Sequence, residues 1–427
     1  VELEAAGITH PPILVVLAGL TIIAIAAGLY QLLQRASLKF NFRLRTPSAI
    51  LICLGLWTGA IAQQALSMVS MRKQVWQDEH TTFGIQLGLL RPDPGLETLS
   101  IQFKRTMTSS QEELLLSGPI PTLQKNPDVY IVMVETWRKD SVRPEVMPFL
   151  SKFAKAECQQ FETTFAGSNC TPVSWYTLFH SRVGIDWRES LREDESNEGF
   201  KGSYPLRLLY KLGYRFSVRA VCDLSYKKMC DLNFGRDHKL ADQFLDAPMM
   251  PGGLDVPDRE VLIMDDLKRE LETTPKGGKL HFISLDSAHY NYYWPSKNFT
   301  PIHQDCSAIN FSDLNPTAGQ IREVVKRYEN AVNWIDRQME DFINYLKSAG
   351  RYENSIIILT GDHGEEFQEN GSWFHCSSLR REQVEVPIMI RWPEWVTERP
   401  CQNLVSHMDI MPSLLDALGL EARYFTG

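Results

Sequence analysis

Apolar residues follow two different patterns along the chain. Near its start, two uncharged and mostly apolar runs cover residues 11–33 and 47–69. A helix needs about 20 apolar residues to cross the hydrocarbon core of a bilayer, so both runs are long enough to be transmembrane helices. The alternative interpretation is a pair of buried core helices; both runs lack charge throughout and lie close together, which favours the membrane. From Asp128 onward, short apolar runs alternate with amphipathic segments instead.

The segment between the two apolar runs is strongly basic. It carries no acidic residue and four basic ones, namely Arg35, Lys39, Arg43 and Arg45. Short positively charged loops stay in the cytoplasm, so both ends of this anchor are expected to face outward. The expected location is a bacterial inner (cell) membrane, with the rest of the chain in the periplasm or outside the cell.

This pattern predicts three regions. They are a membrane anchor over residues 1–75, a juxtamembrane connector with little structure of its own over 76–127, and a catalytic domain over 128–427. The chain starts at Val1 rather than Met and stops just after a predicted helix. Further transmembrane helices are therefore expected before it, and more of the domain is expected after it.

The region after Asp128 has the alternation that is typical of an α/β protein. Strands are predicted for DVYIVMVE, RFSVRAV, KLHFISLDS, NSIIILTGD and VEVPIMIRWP, and helices for MPFLSKFAKAE, YPLRLLYKLGY, residues 319–350 and MDIMPSLLDALG. This order predicts a mostly parallel central sheet with helices on both faces. In such sheets, ligands bind at the carboxyl ends of the strands.

Composition and motif spacing argue against some classes of function. The chain has 44 basic and 52 acidic residues, a net charge of −8, and no basic stripe, which argues against nucleic-acid binding. Eight cysteines are present, and an outward-facing domain allows disulfides. Cys222 and Cys230 are the predicted pair because they are close in sequence. No CxxC…CxxC or HExxH pattern supports a structural zinc module or a zincin.

Polar residues suited to catalysis stand where predicted strands end. Glu135 closes one strand, Asp362 and His363 close another, and His289 follows a third. Thr171 opens a predicted helix after the short strand ETTF, and His375 lies in the loop after Asp362 and His363. Carboxylate oxygens and an imidazole nitrogen are suitable ligands for a divalent cation. A hydroxyl at a helix N-terminus beside such a cation can become a nucleophile for a phosphoryl or sulfuryl group.

Each of these residues also has a purely structural interpretation. A strand-end glutamate or Thr171 can cap a helix, and Asp-His-Gly can be a turn with a left-handed glycine. A single histidine is usually a surface or core residue. Spacing alone leaves the structural and catalytic interpretations about equally supported.

Several ordered segments resemble the sulfatase branch of the alkaline phosphatase superfamily. TGDHGEEFQENGSWFHCSSLRREQVEVPIMIRWP is similar to the family's metal-binding Asp-His-Gly, its histidine loop and its Val-Pro strand. YIVMVETWRKDSV with MPFLSKFAKA is similar to the first strand and helix, and SHMDIMPSLLDALG to the late helix. The resemblance implies the fold of that superfamily over residues 128–427.

The nucleophile decides the chemistry within this superfamily. Sulfatases oxidise the cysteine of a Cys-x-Pro-x-Arg motif to formylglycine; here the motif is Cys170-Thr171-Pro172-Val173-Ser174, with serine in the arginine position. In sulfatases an arginine follows that cysteine by eleven residues, and eleven residues before Arg182 stands Thr171. The run also resembles the Asn-Ser-Thr of lipoteichoic acid synthases and of phosphoglycerol and phosphoethanolamine transferases, which are membrane-anchored.

Carried over to this chain, the resemblance implies Thr171 as nucleophile and a single divalent metal held by Glu135, Thr171, Asp362 and His363. Zinc or manganese is favoured, with calcium or magnesium as alternatives. His289 and His375 would bind the substrate. The expected donor is a membrane phospholipid or other phosphodiester, and the expected acceptor is a glycan, a lipid or water, which leaves transferase and hydrolase open. Two rival hypotheses are a formylglycine sulfatase using Cys170 and a noncatalytic lipid-sensing ectodomain.

Overall fold

The computed structural model describes residues 107–159, 161–196, 199–306, 316–397 and 404–425. The anchor expected over 1–75, with its two predicted transmembrane helices, lies outside the described residues, as does the first part of the predicted connector. Among the helices of the described ranges, none is both long enough and apolar enough to cross a membrane.

The strands are, in chain order, β1 Asp128–Val134, β2 Thr163–Phe165, β3 Arg215–Ala220, β4 Gln243–Leu245, β5 Lys279–Leu285, β6 Ser355–Gly361, β7 Glu366–Phe367, β8 Trp373–Phe374, β9 Ile388–Arg391 and β10 Leu404–Ser406. The α-helices are α1 Ser109–Ser117, α2 Pro148–Glu157, α3 Thr171–His180, α4 Trp187–Ser196, α5 Tyr204–Lys211, α6 Met229–Phe234, α7 Val256–Thr273, α8 Ala318–Ser348, α9 Arg381–Val384 and α10 Ile410–Ala417.

The central sheet has the strand order β4-β3-β5-β1-β6-β9 in the described part of the chain. Its neighbours run parallel, except that β9 is antiparallel to β6. Every residue of β1 and β6 is buried, as expected for strands that are covered on both faces. The predicted mostly parallel α/β sheet is confirmed.

Alternate residues of β1 contact different covering layers. Ile131 belongs to an apolar core that includes Trp175 of α3 and side chains of α5 and α10. Tyr130, one step along the strand, contacts Phe342 of α8 edge-on with ring centroids 5.5 Å apart. Helix α7 joins α8 on that side, since the Glu260 carboxylate accepts hydrogen bonds from two α8 side chains. Helices therefore cover both faces of the sheet.

The predicted connector contains a helix, α1, so the expectation of little structure is wrong for residues 109–117. The helix begins with a capping box: the Thr108 side chain accepts from the Gln111 backbone N–H at 3.3 Å, and the Gln111 side chain accepts from the Thr108 N–H at 2.8 Å. Glu112 forms a buried ion pair with Arg182, just after α3. This contact fixes α1 to the end of the helix that Thr171 opens.

The predicted disulfide between Cys222 and Cys230 is wrong for this structure, where both residues are free thiols. The Cys222 side chain hydrogen-bonds Ser284 in the sheet, whereas Cys230 lies in the first turn of α6 beside Asp231 and Asp246. Closeness in sequence therefore does not bring these two sulfurs together.

Candidate metal centre

Strand register places the predicted ligands at one edge of the sheet. Val134 of β1 pairs with Leu285 of β5 on one side and with Gly361 of β6 on the other. The residues that follow, Glu135 and Asp362, therefore leave neighbouring strands at the same level. Glu135 keeps this position through its backbone N–H, which donates to the Leu285 carbonyl at 2.9 Å.

The side chains of Glu135, Thr171, Asp362 and His363 meet at this edge. Thr171 Oγ1 lies 3.2 Å from Glu135 Oε1, 3.3 Å from Glu135 Oε2 and 3.2 Å from His363 Nε2. His363 Nε2 lies 3.3 Å from Glu135 Oε1 and 3.6 Å from Asp362 Oδ2. All four residues that the sequence analysis assigned to the metal are thus brought together.

Thr171 reaches the cluster because α3 begins there. The preceding Cys170 is the extended N-cap residue, and a proline in the first turn suits the start of a helix. At the other end Ser181 closes α3 with φ of 50°, a left-handed conformation that favours glycine.

One buried oxygen of Asp362 has no hydrogen-bond partner in the described part of the chain. Asp362 Oδ1 accepts from the backbone N–H groups of Thr136 at 3.0 Å and of His363 at 2.7 Å. Asp362 Oδ2 is fully enclosed and accepts from no donor in the described residues. Because a buried carboxylate oxygen without a hydrogen bond is costly, this atom is suited to bind a cation, which Asp362 and Glu135 could hold together.

His363 is oriented as metal-binding histidines usually are. Its Nδ1 lies 2.9 Å from the carbonyl oxygen of Gly364, which can only accept, so Nδ1 carries the hydrogen. In the neutral ring Nε2 then has a free lone pair, and Nε2 is the atom nearest to Thr171, Glu135 and Asp362. The donor set of carboxylate oxygens, one imidazole nitrogen and a hydroxyl fits a divalent cation such as Zn²⁺ or Mn²⁺.

Burial and mutual charge make the cluster hold protons when no cation neutralises it. Burial raises the pKa of Asp362 well above its ordinary value, and the Glu135 carboxylate raises it further. Burial opposes charge on His363, but the Asp362 and Glu135 carboxylates outweigh it and raise the pKa of His363 to about 10. Burial likewise opposes charge on Glu135, yet the His363 cation holds the pKa of Glu135 far below its usual range.

His289 and His375 lie beside the same glutamate. One nitrogen of each ring and one oxygen of Glu135 are all within 4.8 Å of one another. The His375 ring lies 4.3 Å from that of His363 and 5.6 Å from that of His289. Burial lowers the pKa of His289 to about 4 and that of His375 to about 3, so both rings are neutral at neutral pH. Neutral imidazoles in this position can donate hydrogen bonds to the oxygens of an ester.

Glu365 orients His375 and was missed by the sequence analysis. Its buried Oε1 lies 3.0 Å from His375 Nδ1, and the Tyr292 hydroxyl donates to its other oxygen at 3.3 Å. Burial raises the pKa of Glu365 to about 8. Because Nδ1 is occupied, Nε2 is the nitrogen that His375 offers to a substrate. The sequence feature that could have indicated Glu365 is the pair of glutamates directly after Asp-His-Gly.

Thr136 is a second missed residue. Its φ of 54° is unusual for a β-branched residue, and its side chain is fully buried. The backbone N–H donates to Asp362, and the hydroxyl donates to the Ala288 carbonyl at 2.5 Å, one residue before His289. The strained turn therefore connects three strand ends. Nothing in the sequence indicates a positive φ at this threonine.

Ser174 and His407 fix α3 to β6. The Ser174 hydroxyl donates to the backbone carbonyl of Asp362 and lies 3.1 Å from His407 Nδ1. His407 Nε2 lies 3.0 Å from the carbonyl oxygen of Gly361. Burial lowers the pKa of His407 to about 4, so the ring is neutral and works through hydrogen bonds. The serine that replaces the sulfatase arginine therefore has a positioning role here.

The glycine of Asp-His-Gly serves close packing. A Cβ atom on Gly364 would lie 2.1 Å from the carbonyl oxygen of Glu382. Its φ is not among the positive values found in the described residues, so the left-handed turn considered from the sequence is wrong. The tight contact brings the backbone of α9 against the residue that follows the ligand pair.

The Cys170 sulfur is paired with a second cysteine. Its Sγ lies 2.8 Å from the Sγ of Cys376, and its side chain makes no capping hydrogen bond with α3. Among the described residues, Thr171 Oγ1 lies within hydrogen-bond distance of Glu135 and His363, whereas the contact found for Cys170 Sγ is with Cys376.

Known proteins share this fold. The periplasmic domain of phosphoethanolamine transferase EptC from Campylobacter jejuni has a TM-score of 0.51 at 19% identity, covering 71% of this chain and 92% of that one. The periplasmic domain of EcEptC from Escherichia coli, solved in complex with Zn, has a TM-score of 0.52 at 13% identity, covering 71% and 87%. At these identities the likeness shows the fold alone, which is that of the alkaline phosphatase superfamily.

Two curated relatives share parts of the sequence. Lipoteichoic acid synthase 1 of Bacillus subtilis is 28% identical over 298 residues, which are 66% of this chain and 43% of that protein. Inner membrane protein YejM of Salmonella typhi is 30% identical over 112 residues, which are 26% and 18%. The chain thus spans less than half the length of either relative. The relatives named here include a lipoteichoic acid synthase and a phosphoethanolamine transferase. The model of the sulfatase family matches residues 127–420, more than half of the chain, and the chain therefore belongs to the sulfatase family.

Proposed function

We propose that this chain is a metal-dependent phosphotransferase or phosphodiester hydrolase with Thr171 as its nucleophile. The observation that carries the proposal is the position of Thr171 Oγ1, at 3.2–3.3 Å from both oxygens of Glu135 and from Nε2 of His363. A hydroxyl in that position at a helix N-terminus is suited to form an oxyanion and attack phosphorus.

Glu135, Thr171, Asp362 and His363 would hold one divalent cation. The unpartnered Oδ2 of Asp362 and the oriented Nε2 of His363 both fit that role. Zn²⁺ or Mn²⁺ suits this mixed oxygen and nitrogen set best, with Ca²⁺ or Mg²⁺ as alternatives. When bound, such an ion lowers the pKa of the hydroxyl and neutralises charge on the transferred group.

The reaction would proceed in two steps. Thr171 Oγ1 forms a bond to phosphorus, the bond from phosphorus to the leaving oxygen breaks, and the hydroxyl proton ends on the leaving alcohol. An acceptor hydroxyl or water then attacks the phosphothreonine and restores Thr171. His289 and His375 donate hydrogen bonds to the phosphoryl oxygens, and Glu365 keeps His375 in the orientation that this requires.

The donor class follows from the chemistry together with the relatives. A lipoteichoic acid synthase and a phosphoethanolamine transferase both share this fold or sequence, which favours a membrane phospholipid as the donor of a phosphodiester headgroup. A glycan or lipid hydroxyl would be the acceptor. Two transmembrane helices over 11–33 and 47–69 would place the domain beside this donor at the outer face of a bacterial inner membrane.

The test compares Thr171→Ala with Thr273→Ala, an exposed threonine at the end of α7. Release of headgroup from phosphatidylglycerol and phosphatidylethanolamine vesicles is measured with Zn²⁺ or Mn²⁺ present, and circular dichroism checks the fold. Thr171→Ala should abolish release while Thr273→Ala retains it. Full activity of a folded Thr171→Ala protein would refute the proposal.

The same protein separates the rival hypotheses. An aldehyde at Cys170, detected by peptide mass spectrometry, would establish a formylglycine sulfatase. Vesicle binding that persists without metal, with no turnover of any donor, would establish a lipid-sensing domain. Both outcomes would overturn Thr171 catalysis.

A further inference from the structure

We propose that Cys170 and Cys376 form an intramolecular disulfide that fixes the His375 loop to the N-terminus of α3. The two sulfurs lie 2.8 Å apart although 206 positions separate the residues in sequence. A disulfide bond is about 2.05 Å long, so closure needs a movement of less than about 1 Å. The proposal is independent of whether Thr171 is the nucleophile.

The backbone already holds the two cysteines in register. The N–H of Cys376 donates to the carbonyl of Asn169 at 3.1 Å. The Asn169 side-chain amide donates to the carbonyl of Ser378 at 2.7 Å and to the side chain of Gln383 at 3.1 Å. The loop after His375 is therefore docked on the residue before Cys170, and the sulfurs meet as a consequence.

Both cysteines occupy backbone positions that favour other residue types. Cys170 is the N-cap of α3, a position that favours Ser, Thr, Asp or Asn, yet its side chain makes no capping bond. Cys376 has φ of 62°, in the left-handed region that favours glycine. Cysteine provides no capping hydrogen bond at position 170 and has an unfavourable backbone conformation at position 376. Pairing of the two sulfurs explains why cysteine occupies both positions.

The pair is accessible to an oxidant because Cys376 is exposed and Cys170 is partly exposed. The oxidant would be a disulfide, either of a thiol oxidase or of a small molecule. One cysteine thiolate attacks that disulfide and releases one thiol; the other thiolate attacks the mixed disulfide and releases the second. Two cysteine thiols are oxidised, one disulfide is reduced, and both protons end on the released thiols.

The consequence concerns the substrate side of the site. His375 directly precedes Cys376, and Thr171 directly follows Cys170. The disulfide would therefore join the sequence neighbour of His375 to the sequence neighbour of Thr171. It would limit how far the His375 ring can move from Thr171. Reduction would leave the loop held only by its hydrogen bonds to Asn169, while Glu135, Asp362 and His363 stay in place.

The first measurement is peptide mass spectrometry of the full chain, isolated without reductant and alkylated during denaturation. We expect a linked pair of peptides containing Cys170 and Cys376, about 2 Da lighter than the two free peptides together, that separates with dithiothreitol. Cys306→Ser, a matched control at a distant thiol, should retain the link, and Cys376→Ser should leave Cys170 alkylated. Full alkylation of both thiols in wild type, or protection that a chelator abolishes, would overturn the disulfide.

The second measurement is hydrogen exchange over residues 372–380 with and without reductant. Reduction should raise exchange several-fold in wild type and in Cys306→Ser, whereas Cys376→Ser should exchange rapidly in both conditions. A linked peptide with unchanged exchange on reduction would refute the positioning role. Neither readout depends on turnover, so failure here is distinct from failure of the Thr171 proposal.

Discussion

Replacing Ser174 with alanine tests how α3 is held against the metal ligands. The fully buried Ser174 hydroxyl donates to the carbonyl of Asp362 and lies 3.1 Å from His407. Ser174→Ala removes one hydrogen bond and leaves a buried carbonyl without that donor. Such a loss costs about 1–3 kcal/mol of unfolding free energy, or roughly 2–5 °C in melting temperature for a domain of about 300 residues.

The matched control for this change is Ser151→Ala. Ser151 is also buried, and its hydroxyl donates to the Pro148 carbonyl at 3.1 Å within α2, away from the cluster. Both variants should lose stability in thermal unfolding without metal. Only Ser174→Ala should also weaken Zn²⁺ binding, by about 10-fold in competition titration, because groups behind metal ligands contribute about that much. Equal Zn²⁺ affinity in the two variants would refute the positioning role.

Three further predictions concern the cluster. Asp362→Asn should weaken Zn²⁺ binding by about 10- to 100-fold in competition titration, because it removes one charged oxygen of the cluster; an unchanged Zn²⁺ affinity would contradict this. In the metal-free protein the pKa of His363 is raised to about 10. Its protonation therefore stabilises the fold, fully at pH values below the unfolded histidine pKa of about 6.5, and this stabilisation is lost as the pH rises through about 10. Cation binding displaces its proton, so affinity should rise with pH in this window, and a pH-independent affinity would count against it. Glu365→Ala should lower turnover by about 10-fold by releasing His375 while changing Zn²⁺ affinity little; equal losses in both would show a metal-binding role instead.

The sequence predicts this site well where strand ends alone determine position. Parallel strands finish at the same edge of a sheet, so Glu135 and Asp362 had to be neighbours once β1 and β6 paired. Thr171 was found in the same way, as the first residue of a helix after a short strand. Their catalytic roles stay predictions.

The groups that hold these residues could not be found from sequence. The contact between Ser174 and Asp362 joins positions 188 apart, and the turn at Thr136 depends on a backbone angle that its side chain disfavours. Closeness in sequence also did not indicate which cysteines lie together in the structure. Cys222 and Cys230 are close in the chain yet face different neighbours, whereas Cys170 and Cys376 meet because two loops dock.

Helix α1 was missed although it carries a recognisable start. Thr108 and Gln111 match the spacing of a capping box, which is visible in the sequence. The segment that follows has no strong apolar face, and its place in the structure depends on the ion pair between Glu112 and Arg182. Such a helix is stabilised by tertiary contact, which a local pattern does not indicate.

Covalent attack by Thr171 is the step on which the proposed function depends. The most direct measurement is mass spectrometry of the peptide over residues 164–182 after rapid acid quenching of full-length protein with Zn²⁺ and phosphatidylglycerol or phosphatidylethanolamine. Combining it with His289→Ala or His375→Ala, which should slow the breakdown of the intermediate, increases the chance of trapping it. We expect a phosphate-containing adduct on Thr171 that is absent from Thr171→Ala. Release of headgroup by protein whose Thr171 remains unmodified under these conditions, or an adduct on any other residue, would contradict it.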